Sequence, residues 1–211
     1  MLPKNLEAIF LDFDGVVLES AEIKTKAFYD VYLSYGPDIA EKARQHHLNH
    51  QGVNRLEKFK HIHNFYLKRK CEYKELEIMS KKFTDAVFQR IIACECVPGV
   101  ISFLEKYQNR KVPVFLLSAT PHDELLLILE LRKLSPYFTE VYGAPNEKKT
   151  AGLEIINRYN FKHENLIFIG DSISDCQAAK SMGVPFLGRL TQGNDQSFAG
   201  HPVINNFLEL A

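Results

Sequence analysis

The chain lacks an excess of charge of either sign: its 211 residues hold 26 Lys plus Arg against 26 Asp plus Glu. A general nucleic-acid binder concentrates positive charge, so no nucleic-acid partner is expected. No apolar run reaches the roughly 18 residues needed to span a bilayer, so no membrane partner is expected either. Residues 1–5 lead straight into a strand-like run and leave no room for a secretory leader, which makes a cytoplasmic location the expectation. Cysteine is scarce, at four residues: Cys71, Cys94, Cys96 and Cys176. Cys94 and Cys96 stand two apart with no second pair at metal-ligand spacing. Free, partly buried thiols are therefore expected rather than a disulfide or a zinc site. Internal repeats and low-complexity tracts are also missing. A chain of this length holds one ample core plus an insert, or two small domains.

What the chain does have is Ile9-Phe10-Leu11-Asp12-Phe13-Asp14-Gly15-Val16-Val17. An apolar run without polar alternation suits a strand buried on both faces of a parallel sheet. Asp12 would stand at its C-terminal end, where open α/β sheets place their ligands, and Asp14 on the loop beyond. Gly15 permits the sharp path the loop needs. Two carboxylates so close repel unless a cation sits between them or one holds a proton.

Residues 18–92 are helical in character, with helices expected over 21–35, 38–50, 55–70 and 73–92. Phe59, Ile62, Phe65 and Tyr66 recur at helical spacing, the mark of a core-facing stripe. From Val97-Pro98-Gly99 onward the pattern alternates. Helices are expected over 100–109, 123–133 and 150–159, and strands over 112–117, 141–142, 166–169 and 184–187. The 123–133 helix is apolar almost all round and is expected to be buried on more than one side. Alternation of this kind implies a parallel α/β sheet wrapped by helices. The expected domains are a core of residues 1–17 and 93–211 and a helical insert of residues 18–92 overhanging the sheet edge.

Each buried strand ends in a polar residue: Asp12, Ser118, and Asp171 with Asp175 beyond it. Lys148 and Lys149 lie on a loop before a helix. Several carboxylates without His or Cys describe a site for a hard cation such as Mg²⁺. A lysine and a hydroxyl beside them suit phosphoryl oxygens, and an aspartate is available as nucleophile.

These stretches resemble the haloacid dehalogenase-like (HAD) hydrolase superfamily, and the resemblance spans the chain. Asp12-Phe13-Asp14-Gly15-Val16, Leu116-Leu117-Ser118-Ala119-Thr120, a lysine before a helix, and Gly170-Asp171-Ser172-Ile173-Ser174-Asp175 stand in family order. The resemblance implies a Rossmann-like sheet of strand order 3-2-1-4-5 with an inserted helical cap. It implies Asp12 as the nucleophile that forms an aspartyl-phosphate and Asp14 as general acid and base. It places Mg²⁺ on Asp12, the Asp14 carbonyl and Asp171, with Asp175 nearby. Ser118 and the Ala119 amide would hold phosphoryl oxygens. The family pattern has an apolar residue four positions after its lysine. Leu153 follows Lys149 at that spacing and Gly152 follows Lys148, so Lys149 is taken as the catalytic lysine, with Lys148 left open.

The insert carries 14 basic and 10 acidic residues, a basic lid that suits an anionic small molecule. Gln51-Gly52-Val53-Asn54-Arg55 resembles a cap segment of beta-phosphoglucomutase-like members, with Asn54 as helix N-cap. Arg55 and Lys58 are thereby expected to bind the substrate's non-reacting end. Lys24, near the hinge where relatives carry a histidine, is a further substrate-binding candidate, and Glu19 stands where relatives have Asp or Asn. The cap histidines His46, His47, His50, His61 and His63 are expected on the surface or in loops. The expected activity is a Mg²⁺-dependent phosphatase acting on a small phosphorylated metabolite, a sugar phosphate among the candidates. A phosphomutase of the same fold and a catalytically silent binding module are the alternatives.

Overall fold

A computed structural model of the chain describes residues 2–191, 198 and 200–210. Its centre is β1 (Ala8–Leu11), every residue of which is buried. Ile9 and Leu11 pack into one apolar cluster and Ala8 and Phe10 into another, as the period of two requires of a strand covered on both faces. β2 (Val114–Pro121), β3 (Glu140–Ala144), β4 (Leu166–Gly170), β5 (Phe186–Arg189) and β6 (Val203–Ile204) complete the sheet. The spatial order is β3-β2-β1-β4-β5-β6, with every neighbouring pair parallel. The expected α/β class and 3-2-1-4-5 order are both found, with β6 added at one edge. All strands therefore deliver their C-terminal ends to the same side.

Helices α5 (Val100–Asn109) and α6 (His122–Leu131) cover one face of the sheet. Helices α7 (Lys148–Tyr159) and α8 (Ile173–Met182) cover the other. Between β1 and β2 run α1 (Ala21–Tyr32), α2 (Pro37–Asn49), α3 (Arg55–His61) and α4 (Tyr73–Ala93). The apolar cluster on the α5/α6 side continues through Phe13, Val16, Val17 and Leu18 into Phe28, Phe59 and Phe83 of these helices. Leu18 makes an isolated antiparallel bridge with Cys96. The segment thus leaves and returns to the sheet through two adjacent strands of chain.

Three sequence expectations need correction here. The helix expected over 55–70 ends early: α3 passes into a π-helical turn, Ile62–Tyr66, and positive φ at Lys68 closes it. α6 is buried on one side only. Leu125, Ile128 and Leu129 face the core at helical spacing, while Leu126, Leu127 and Leu131 are exposed, so its composition overstated its burial. The cap histidines are not all at the surface, since His46, His47 and His63 are buried. His46 stacks on both His50 and His61. Aromatic stacking rather than solvation accounts for part of this histidine-rich stretch.

Candidate active site

Asp12 leaves β1 with its amide donating to the Ile169 carbonyl of β4 at 3.0 Å. The sheet therefore fixes where its side chain starts. Gly15, at φ +72°, turns the loop, and a Cβ there would stand 2.1 Å from Asp171 Oδ2. Only glycine lets this loop lie against the end of β4. Ser172 caps α8 in a reciprocal arrangement: its side chain accepts from the Asp175 amide, and Asp175 accepts back from the Ser172 amide. One carboxylate oxygen from each of Asp12, Asp171 and Asp175 lies within 4.8 Å of the other two, and all three residues are buried.

Lys148 bridges this group. Its Nζ donates to Asp12 Oδ1 at 2.7 Å and to Asp175 Oδ1 at 2.6 Å. Lys149, the residue chosen from spacing, is exposed, and the choice is corrected. α7 begins at Lys148, two residues earlier than the pattern suggested. At about 100° per residue Lys149 is turned away from the carboxylates. The small residue four positions after Lys148 also has a physical reason, because a Cβ on Gly152 would stand 2.1 Å from Met182 Sδ of α8. Close helix packing, not an apolar side chain, is what that position supplies.

Asp175 has little left to offer a cation directly. Oδ1 takes Lys148, and Oδ2 takes the Ser172 amide at 3.1 Å and hydroxyl at 2.5 Å. It joins the group mainly through Lys148. Asp12 and Asp171 are the more available donors. Burial, with the neighbouring carboxylates adding to it, pushes both carboxyls above the usual range. Crowded, buried and all oxygen, this donor set fits a hard divalent cation such as Mg²⁺, which would relieve the repulsion. The Lys148 ammonium is also raised, but for a different reason. Burial alone would lower it, but Asp12 and Asp175 hold it above the usual range.

Asp14 lines the same cavity as Asp12 and Asp171 but has its own set of partners. It is ion-paired with Lys24 and accepts from the Ser20 hydroxyl at 2.6 Å and the Thr120 hydroxyl at 2.9 Å. Thr120 in turn accepts from Lys24 at 2.7 Å. Burial would raise the Asp14 carboxyl, but Lys24 and these hydrogen bonds hold it below its ordinary value. Thr120 was missed as a site residue. Its position two after Ser118 on β2, the same face of the strand, was the available signal. Ser118 is buried and accepts from the Thr120 amide at 3.1 Å, which leaves its hydroxyl proton available to a phosphoryl oxygen.

The cavity above this edge is lined by Asp12, Asp14, Ala119, Thr120 and Asp171 below and by Lys24, Arg55, Lys58, Phe28 and Phe83 above. The α2–α3 loop closes down on the core: a Cβ on Gly52 would stand 2.0 Å from Ser174 Oγ. Arg55 is buried, but its charge is matched. It donates to Glu124 of α6 at 2.5 Å and to Thr84 at 2.8 Å. It lines the cavity, and its pairing makes it a tie between the helical segment and the sheet domain. Arg55→Ala leaves Glu124 buried without its cation, and a loss of about 3–5 kcal/mol in unfolding free energy is expected. The double variant with Glu124→Ala should recover much of it. Urea melts of the two singles and the double measure this, and additive losses would show that the pair is not coupled.

Lys58 differs from Arg55. It is buried, with its Nζ 3.0 Å from His47 Nδ1, and no carboxylate pairs with it among the described residues. Burial, together with Lys24, lowers its ammonium to about 7. The same burial, with Lys58 beside it, holds His47 well below its usual value, so His47 is the neutral acceptor. An ammonium held this loosely is poised to gain an anionic partner.

Known proteins resemble this chain along most of its length. The model of the haloacid dehalogenase-like hydrolases matches residues 9–188. The phosphorylated carbohydrates phosphatase of Thermotoga maritima is 28% identical over 188 residues, covering 85% of this chain and 82% of that protein. The phosphoglycolate phosphatase of Photorhabdus laumondii is 25% identical over 225 residues, covering 98% and 92%. Among solved structures, a beta-phosphoglucomutase from Clostridium difficile shares the fold with a TM-score of 0.76 at 20% identity, covering 98% of this chain and 93% of that one.

Proposed function

The chain belongs to the haloacid dehalogenase-like hydrolase family and is a phosphatase, and from that premise we propose that it hydrolyses the phosphate monoester of a small carbohydrate or hydroxy acid bearing a second anionic group. One observation carries the reading. A floor of buried carboxylates bridged by Lys148 faces a cavity roofed by Lys24, Lys58 and Arg55. Helices α1–α4 would act as the cap, and Lys58, whose charge no carboxylate among the described residues matches, would select the part of the substrate that does not react. The relatives named for phosphorylated carbohydrates and phosphoglycolate support that class.

In the first half-reaction an Asp12 carboxylate oxygen attacks phosphorus. The ester P–O bond breaks with its electrons going to the leaving oxygen, which takes a proton from Asp14. In the second, the Asp14 carboxylate takes a proton from water. That oxygen attacks phosphorus and the bond to Asp12 breaks, returning the Asp12 carboxylate and inorganic phosphate. Lys148 holds Asp12 in place and offsets its charge, and Ser118 and the Ala119 amide hold phosphoryl oxygens. The cycle starts with Asp14 protonated. Lys24 and the hydrogen bonds that hold its carboxyl below the ordinary value favour the ionised form it reaches after the first step, the form that accepts a proton from water. Mg²⁺, held by Asp12, the Asp14 carbonyl and Asp171, would supply the charge neutralisation that lets one anion approach another.

The test is inorganic phosphate release from a panel of phosphorylated sugars, short acids and nucleotides, with Mg²⁺ and with chelator. Metal-dependent release from a few sugars or acids is expected, and release from none would defeat the reading. The close seating of Gly52 on Ser174 also favours a second reading, a phosphomutase, because it would help exclude water. Phosphate that migrates on the sugar without release identifies that case.

Lys58 gives the reading a pH signature. Its protonated form binds the second anion, and free Lys58 loses that proton as pH rises through about 7. KM for a doubly anionic substrate should therefore climb between pH 6 and 8, relative to a generic aryl phosphate. Lys58→Arg, charged throughout, should flatten the ratio. Parallel profiles for the two substrates in the wild type would exclude Lys58 from binding.

A further inference from the structure

Outside the active site, a second group of donors converges inside the helical segment. His63 lies on the π-helical turn Ile62–Tyr66, Cys71 in the connection that follows, and Glu75 in the first turn of α4. Their ligand atoms all lie within 4.8 Å of one another. His63 is fully buried, and its Nδ1 has no hydrogen-bond partner. That nitrogen lies 3.8 Å from Glu75 Oε2, too far for a hydrogen bond. Cys71 Sγ stands 3.7 Å from the same oxygen. A buried imidazole nitrogen left without a partner is costly, and the neighbouring Tyr32 hydroxyl, on a ring 5.9 Å from that of His63, is likewise buried and unpartnered.

We propose that His63, Cys71 and Glu75 form a binding site for a borderline-soft divalent cation, with Zn²⁺ the best fit. The spacing is that of ligands to one tetrahedral ion. From usual Zn–N, Zn–S and Zn–O lengths, two such ligands stand about 3.4 Å (N···O) and about 3.6 Å (S···O) apart, against the 3.8 and 3.7 Å found here. Nitrogen, sulfur and a single carboxylate select zinc over magnesium, so this group and the all-oxygen floor at the sheet edge would not compete for the same ion. Charge also balances: a thiolate and a carboxylate match a dication, and binding releases the thiol proton. Arg69, which forks onto both oxygens of Glu75, would keep Oε1 and orient Oε2, as groups behind metal ligands commonly do. Water would take the fourth position. The ion would pin the connection between α3 and α4, a structural role in the segment proposed as the cap. The site was hidden in the sequence because its donors are of three kinds and come from three elements, with no repeated pair.

The test uses the whole chain in excess Mg²⁺, which occupies the carboxylate floor, with Co²⁺ as a spectroscopic probe and Zn²⁺ as competitor. One equivalent of Co²⁺ should give a near-ultraviolet thiolate-to-metal band that carboxylates cannot produce. Zn²⁺ should abolish the band, and Cys71→Ser should lack it. A measurement that needs no variant runs alongside: peptide mapping after alkylation should show Cys71 protected by Zn²⁺ about tenfold or more, with Cys94, Cys96 and Cys176 unchanged. Absence of both the band and the protection in the wild type overturns the proposal. So does a band that survives in Cys71→Ser, or protection that falls on another cysteine.

Discussion

Asp12→Asn is expected to lower kcat for phosphate release by about 10⁴-fold or more, the scale seen when an enzyme loses its nucleophile. Asparagine keeps the shape and one acceptor oxygen of the side chain but cannot form an acyl phosphate. Its neutral amide also removes one of three crowded carboxylates, and this separates chemistry from folding. Burial and the neighbouring acids already push the Asp12 carboxyl up, so ionised Asp12 opposes folding and its neutral replacement does not. The variant should therefore melt no lower than the wild type while losing turnover. Lys148 keeps Asp175 as a partner at 2.6 Å, and the Ile169 carbonyl still takes the amide of residue 12. Phosphate release at saturating Mg²⁺ and a thermal melt on the same preparation make the check. A rate within about 100-fold of the wild type would remove Asp12 from the reaction, and a collapsed melting temperature would show that the residue is structural.

Much of this site was legible in the sequence because backbone geometry put it there. A doubly buried strand needs an unbroken apolar run, and Ala8–Leu11 and Leu166–Gly170 supply two of them. Parallel strands then bring Asp12 and Asp171 to one edge regardless of their separation along the chain. What was not legible depends on side-chain partners. Arg55 reads as a free cation until Glu124, 69 residues on, is seen to neutralise it. The leucines of α6 read as buried because the composition of a helix does not reveal how many of its sides are covered. His46 and His63 read as surface residues because polarity does not reveal that a ring can stack, or sit against Met79 Sδ at 3.1 Å. The lysine was misplaced by one position for a related reason. A spacing rule that expects an apolar residue misses a site where Met182 of the adjoining helix packs onto the position and leaves no room for a side chain without its moving.

That one position has the second largest expected effect. Lys148→Met should reduce kcat by about 10²–10³-fold, the loss typical of a charge aimed at the reacting group, whereas Lys149→Met should change it by no more than about twofold, as for an ordinary exposed residue. The Lys148 side chain, 9% exposed, is held against Asp12 and Asp175 at 2.7 and 2.6 Å. Without it, two acids face each other with no counter-charge, and a loss of about 3–5 kcal/mol in stability should accompany the loss of rate. Arginine should not rescue position 148. Its guanidinium is a planar fork on a longer stem and cannot act as a compact charge between two carboxylates. Lys149 supplies the matched control, since it sits on the same helix turn with the same propensity and lines the opening beside Ser118 from the solvent side. Steady-state kinetics on one substrate and urea melts of the three variants measure both effects. If Lys149→Met loses as much activity as Lys148→Met, the helix terminus acts as a whole and the assignment to Lys148 fails. If Lys148→Met loses stability but keeps its turnover, the lysine is a structural tie between the two aspartates and takes no part in phosphoryl transfer.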